Sequence, residues 1–170
     1  MWWTHFHAIG DPVAIARGVR AALDRTATPP PAPSTPPPAV DLDTAGIDAA
    51  FGTAGRNDGG IYKFSFARNE TIVMHNRVAP PATGVTTAIG FQPVGGGRAA
   101  INGDFVMTEH EVQHVITALR AGGIQVVELH HHGLNDQPRL FYTHFWAVND
   151  GVTLAKTLAT AVRATAVHPA

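Results

Sequence analysis

The sequence predicts an α+β fold, an antiparallel sheet with helices packed on one face. Two observations lead to this prediction. Four β-like runs occupy residues 61–107, and a helix, a hairpin and a second helix follow them. From Arg98 onward the order is β-α-β-β-α, which is typical of a ferredoxin-like unit.

The first elements are marked by capping and turn residues. Residues 41–52 predict a short helix that begins near Asp43 or Thr44 and ends at Gly52. Four strands are then predicted from IYKFSFAR, TIVMHNRV, TTAIGFQPV and RAAINGDFVM, and proline and glycine clusters separate them.

The later elements alternate helix and strand. Thr108 and Glu111 form a capping-box pair, so a helix is expected from there to Gly122, with an apolar stripe facing the sheet. IQVVELHHH and RLFYTHFWAV predict a hairpin, and a last helix is expected from Asp150 to about Ala166.

Composition limits the classes of partner. The chain has 170 residues, of which 45% are hydrophobic, and a net charge of -1, so nucleic acid and anionic membranes are not expected partners. No apolar stretch reaches the roughly 18 residues of a membrane span, and no signal peptide is visible. Without cysteine, histidine and carboxylates are the strong metal ligands that remain.

The N-terminal segment repeats the C-terminal one. Residues 1–26 match residues 140–165 without a gap, and nine positions are identical. Each copy predicts a strand, an Asp-containing turn and an amphipathic helix. We therefore expect residues 1–26 to be the tail of a preceding repeat whose front half is missing.

Three segments follow from this organisation. Residues 1–26 form the repeat tail, residues 27–40 a proline-rich linker, and residues 41–170 a complete domain. The N-terminal strand and helix carry too much apolar surface to remain solvated. We expect them to pair with the sheet of the same chain or to exchange with a partner in a homodimer.

The main functional clue is a histidine cluster. His130 and His132 are two residues apart at the end of an apolar run, so a strand would project both from one face. His144, on the next strand, can lie beside them. Three imidazoles predict a site for a divalent transition metal, for which zinc is the first choice and copper, iron or manganese the alternatives.

Two carboxylates accompany this cluster. Glu128 shares the strand face of His130 and His132, and Asp136 lies in the hairpin loop. Either could be a fourth ligand, a partner that orients an imidazole, or a general base; the alternatives are an exposed strand carboxylate and a turn residue. For His144 to share their face, the numbers of opposed residues must sum to an even value, for example His130 opposite His144.

A second pattern competes with this site. His110, Glu111 and His114 spell HExxH, the arrangement of zinc peptidases. Glu111, however, is better explained as a capping residue, and both histidines lie opposite the apolar stripe. We therefore expect these two histidines to face solvent.

The runs GGIYKFSFAR, PVGGGRAAINGDFVMTEHEV and GGIQVVELHHHGLNDQPRLFYTHFWAVNDG together resemble the LppY/LpqO-like family, a bacterial domain of unknown function often present in two copies. The most specific element is the histidine, acidic residue, proline, arginine and distant histidine pattern. It is carried here by His130, His131, His132, Asp136, Pro138, Arg139 and His144. His131 replaces the usual asparagine and Asp136 the usual glutamate. The resemblance implies frequent export but no established activity.

Two functions remain open. The first is a metal-dependent enzyme that acts on a small molecule or an envelope component, by hydrolysis, lyase or oxygen chemistry according to the metal. The second is a non-catalytic ligand-binding or structural module of a repeat protein. An open coordination position beside Arg139, Tyr142 and Trp146 would favour catalysis, whereas a closed four-ligand site would favour structure.

Overall fold

The structure is a computed structural model that describes residue 6, residues 8–29 and residues 36–170. The chain divides into two compact units, Met1–Pro36 and Pro37–Ala170. Within the first unit, the predicted helix is α1 (Pro12–Leu23), whose N-cap Asp11 accepts a hydrogen bond from the Ala14 amide at 2.7 Å. The strand predicted before it falls largely outside the described residues.

The second unit contains three further helices and nine strands among its described residues. The helices are α2 (Thr44–Phe51), α3 (Glu109–Ala121) and α4 (Gly151–Arg163), and a short 3-10 turn spans Pro81–Thr83. The strands are β1 (Arg56–Asp58), β2 (Ile61–Arg68), β3 (Val73–Met74), β4 (Arg77–Val78), β5 (Thr86–Pro93), β6 (Arg98–Met107), β7 (Gln125–His130), β8 (Phe141–Asp150) and β9 (Val167–Pro169).

Seven of these strands form one antiparallel sheet. The order is β1-β2-β5-β6-β8-β7, and β9 pairs with β2. Strand β8 lies between β6 and β7 and is antiparallel to both. The expected ferredoxin-like order β-α-β-β-α is therefore confirmed for β6, α3, β7, β8 and α4, as is the α+β class.

One predicted strand is wrong. The run TIVMHNRV was expected to be a single strand, but it forms the two short strands β3 and β4, which pair with each other. His75 and Asn76, between them, have positive φ values of 48° and 61°. Two successive left-handed residues give the tight turn of a two-residue hairpin, which explains the reversal of the chain.

The main hydrophobic core lies between one face of the sheet and helices α2, α3 and α4. Alternate residues of β6 and β8, such as Phe105 and Phe145, point into it, and Val115, Leu119 and Leu158 pack against them from the helices. The predicted capping box of α3 is present, because Thr108 and Glu111 bond reciprocally. The helices thus cover one face and leave the other for the site.

Within the second unit, described residues cover the opposite face of the sheet at one end. A smaller apolar cluster, consisting of Ile72, Val85, Val106, Leu140 and Tyr142, lies where the chain segments before β5 and before β8 cross this end. Farther along β8, Trp146 and Val148 on the same face are 38% and 41% exposed. The candidate site lies at the border between these two regions.

Candidate metal site

A row of polar side chains crosses the sheet at this border. Asp104 of β6 is directly opposite His144 of β8, and His144 is opposite Glu128 of β7. Directly opposed residues project from the same face of a sheet with short separations. A carboxylate therefore flanks the His144 imidazole on either side.

A β-bulge aligns β7 with this row. The pairing shifts between Val126 and Glu128, so Val126 packs toward the helices while Glu128 and His130 lie on the opposite face. Past the bulge the register has the even sum that was expected. The illustrative pairing of His130 with His144 is wrong, however, because His130 is opposite Tyr142.

His132 lies beyond the end of β7, in the loop, and not on the strand as expected. Its ring stacks on Tyr142, with centroids 3.5 Å apart and an interplanar angle of 19°. Its Nδ1 is 3.2 Å from the carbonyl oxygen of Gly84, which precedes β5. These two contacts fix the plane of the ring and hold the His132 side chain beside Tyr142, within the site.

Backbone carbonyls orient two of the imidazoles. A carbonyl oxygen can only accept a hydrogen bond, so His132 Nδ1 donates to Gly84 and His144 Nδ1 donates to Gly103, at 3.0 Å. Each ring then presents Nε2 to a carboxylate. His132 Nε2 is 3.2 Å from Asp104 Oδ2, and His144 Nε2 is 3.5 Å from Glu128 Oε1.

The position of Gly103 explains one of these bonds. A Cβ at this residue would lie 2.0 Å from the Ala88 carbonyl oxygen and 2.7 Å from the Phe145 ring. Only glycine allows β5 and β6 to approach so closely here. The carbonyl that orients His144 is thus held where no other residue fits.

The ligand atoms form two groups that could each hold a metal ion. One consists of Asp104, His130 and His132, and the other of Glu128, His130 and His144. The three histidines predicted as one set are divided between these groups, and His130 belongs to both. His130 lies 5.0 Å from His132 and 4.9 Å from His144, measured between ring centroids.

Asp104 is the residue that sequence reasoning missed. It is largely buried, and its Oδ1 accepts no hydrogen bond from the part of the chain that the structure describes. A signal existed in the alternation of β6, because Asn102 and Asp104 place two polar side chains on one face of a mainly apolar strand. Asp104 lies opposite His144, which is far away in the sequence, so the sequence alone did not connect Asp104 with the histidines.

Asp136 belongs to neither group. It is 5% exposed, and its Oδ2 accepts a hydrogen bond from the Leu140 amide at 3.0 Å. Arg139, which was considered as a pocket residue, donates to the Leu134 carbonyl at 2.7 Å. Both side chains therefore organise the loop between β7 and β8.

Burial sets the ionisation of the central groups. It lowers the pKa of His130, helped by the neighbouring His132 and His144 and opposed by Asp104 and Glu128. Burial also raises the pKa of Tyr142, with the charges of Asp136 and Asp104 acting in the same direction. The lowered pKa favours the neutral imidazole, which is the form that can bind a metal.

The HExxH pattern of α3 forms a different structure. His110 and His114 are exposed, as expected. Glu111 accepts from Arg68 at 2.6 and 3.1 Å and from the Thr108 and Ala166 amides, each at 2.7 Å. These bonds outweigh burial and lower the pKa of Glu111. The glutamate joins β2, α3 and the C-terminal segment.

Comparison with known proteins gives a family and no activity. No curated protein and no solved structure matches the chain. Among the described residues, no helix has the length and apolar character that crossing a membrane requires. A family model described as Domain of Unknown Function (DUF1259) matches residues 45–164. The match includes every member of both ligand groups, and the chain belongs to this family.

Proposed function

We propose that the domain binds a divalent transition metal at the groups that share His130, and that zinc is the preferred ion. The supporting observation is the orientation of His132 and His144. With Nδ1 donating to a carbonyl, a neutral ring directs the Nε2 lone pair at a carboxylate oxygen. Two electron-rich atoms at 3.2 and 3.5 Å repel each other unless a cation or a proton lies between them.

The donor set supports a transition metal. Each group supplies two imidazoles and one carboxylate, the set used by several catalytic zinc sites and by non-haem iron oxygenases. The carbonyls that accept from Nδ1 match the usual second partner of a metal-ligating histidine. We take zinc as the first candidate, because two imidazoles and one carboxylate are the ligands of several catalytic zinc sites.

We further propose that the metal serves catalysis on a small molecule. Glu128 is 47% exposed at the edge of the site, and the next residue on the same face of β8 after His144 is the exposed Trp146. When bound, zinc would supply Lewis acidity for a hydrolytic or lyase reaction. Asp104 and His132 would hold the ion, and Glu128 is placed to accept a proton at Oε1.

The test is elemental analysis of the protein purified without an affinity tag. We expect one equivalent of zinc, removal by a chelator, and recovery of the same stoichiometry after zinc is added back. A protein that carries no transition metal and takes up no zinc at neutral pH would contradict the proposal. In that case nitrogen NMR should find Nε2 of His132 and His144 protonated, as expected for simple ion pairs with Asp104 and Glu128.

The N-terminal segment carries a related proposal. We propose that residues 1–26 are the tail of a preceding repeat and that the family corresponds to the LppY/LpqO-like one. Asp11 caps α1 through Ala14, and Asp150 caps α4 through Thr153, at matching repeat positions and with the same 2.7 Å bond. Apolar residues of the segment, such as Phe6, support the proposal that it pairs with the sheet of the same chain or exchanges in a homodimer, and sedimentation would distinguish the two.

A further inference from the structure

A second row of side chains runs beside the row that contains Asp104 and His144. Asn102 of β6 is directly opposite Trp146 of β8, and Trp146 is directly opposite Gln125 of β7. Two residues along a strand correspond to about 7 Å, so this row lies one step from the ligand row on the same face. The indole of Trp146 is thus flanked by two carboxamides.

These three side chains are available to a ligand. Trp146, Asn102 and Gln125 are all exposed. No hydrogen bond joins either carboxamide to another residue in the described part of the chain. On the other side of Asn102, Gly90 provides a position without a side chain, which Asn102 Oδ1 and Ile61 border.

The chemistry of the row indicates the class of ligand. An exposed indole offers an apolar face, and a carboxamide both donates and accepts hydrogen bonds. A hydroxyl group also does both, whereas an anionic ligand would call for a cation. The cation nearest along this row, after Gly90, is Lys63 of β2, and it already pairs with Asp58 at 2.7 Å. The row therefore favours a neutral ligand.

We propose that Trp146, Asn102 and Gln125 form a subsite for a neutral hydroxylated ring, such as a saccharide unit. The ring would stack on the indole and exchange hydrogen bonds with the two carboxamides. A group attached to this ring would lie beside Asp104 and His144, and the reaction of that group rests on the proposed function. The binding of the ring itself does not depend on the proposed function.

The experiment measures the binding of cellobiose, maltose and sucrose to the full chain by calorimetry, with sorbitol as an acyclic control. We expect at least one disaccharide to bind and sorbitol not to bind. Trp146→Ala should weaken binding roughly tenfold, as loss of a stacked ring implies. Trp146→Phe should recover part of the loss, and Asn102→Ala and Gln125→Ala should each weaken binding severalfold.

Val148→Ala is the matched control, since Val148 is the next exposed residue on the same face and should leave the affinity unchanged. His132→Ala separates the two proposals. His132→Ala should lower the metal content and leave disaccharide binding intact. Trp146→Ala should weaken disaccharide binding and leave the metal content unchanged.

Three results would overturn the subsite. The first is no binding of any of the disaccharides at millimolar concentration. The second is binding that chelation abolishes and Trp146→Ala does not change, because the metal would then hold the sugar. The third is a wild-type dimer that Trp146→Ala converts to a monomer, because a second copy of the chain would then cover this face.

Discussion

Helix α3 and strands β6 to β8 both bring histidines together with a carboxylate, but only the strands form a candidate metal site. On α3, the glutamate of the HExxH pattern is bound by Arg68 and two backbone amides, and both histidines face solvent. On the strands, carbonyls orient the imidazoles toward the carboxylates. Spacing along one element therefore says less about a site than the contacts that each side chain already makes.

Removing the shared ligand should give the largest effect and would break this comparison most directly. His130 belongs to both ligand groups, so His130→Ala should abolish stoichiometric zinc uptake. His114→Ala, the matched change on α3, should leave uptake at the wild-type value. Metal analysis after dialysis measures both. Loss of zinc in the α3 variant alone would restore the peptidase interpretation.

The glutamate of α3 should matter for stability and not for metal. Glu111→Ala leaves the guanidinium of Arg68, whose side chain is 2% exposed, without its closest carboxylate. Breaking a buried ion pair in this way should cost about 3 kcal/mol in the free energy of unfolding. Urea unfolding measures this, with Glu109→Ala in the same helical turn as control. Equal stabilities of the two variants would refute the structural role.

The same carboxylate should make stability depend on pH. The pKa of Glu111 is lowered in the folded protein, so its contribution is fully present above the ordinary value of 4.5. The contribution is lost as the pH falls below that value and through the lower folded pKa. The difference in unfolding free energy between wild type and Glu111→Gln should therefore shrink in acid. A difference that stays constant with pH would contradict this.

The smallest effect is expected for the exposed histidines of α3. Neither His110 nor His114 has a buried side chain, so replacing each with alanine should change the free energy of unfolding by no more than about 0.5 kcal/mol. Thermal or urea unfolding measures this. A larger loss of unfolding free energy in either variant would contradict the statement that these rings face solvent.

The sequence allowed much of the fold to be predicted, because its signals are local. The capping pair Thr108 and Glu111 marked the start of α3, and alternation marked β5, β6 and β8. The short strands β1 and β9 were missed, since three residues give too little pattern. The turn at His75 and Asn76 was missed because neither residue is a glycine.

The site was predicted only in part for a different reason. The histidines were identified because an HxH pair and a nearby third histidine stand out in the sequence. Asp104 was missed because its position opposite His144 depends on the pairing of β6 with β8, 40 residues apart in number. The division of the histidines between two groups depends on the bulge after Val126 and on the loop position of His132. Neither is encoded in a local pattern.

The rings of His132 and His144 are oriented by main-chain atoms, the carbonyl oxygens of Gly84 and Gly103. Every amino acid has a main-chain oxygen, so a side-chain replacement cannot remove these acceptors; it can only displace the backbone that carries them. At Gly103 a larger residue would collide with the Ala88 carbonyl of β5, so its substitution would displace this part of the backbone. The tautomers of His132 and His144 therefore depend on the positions of two main-chain oxygens.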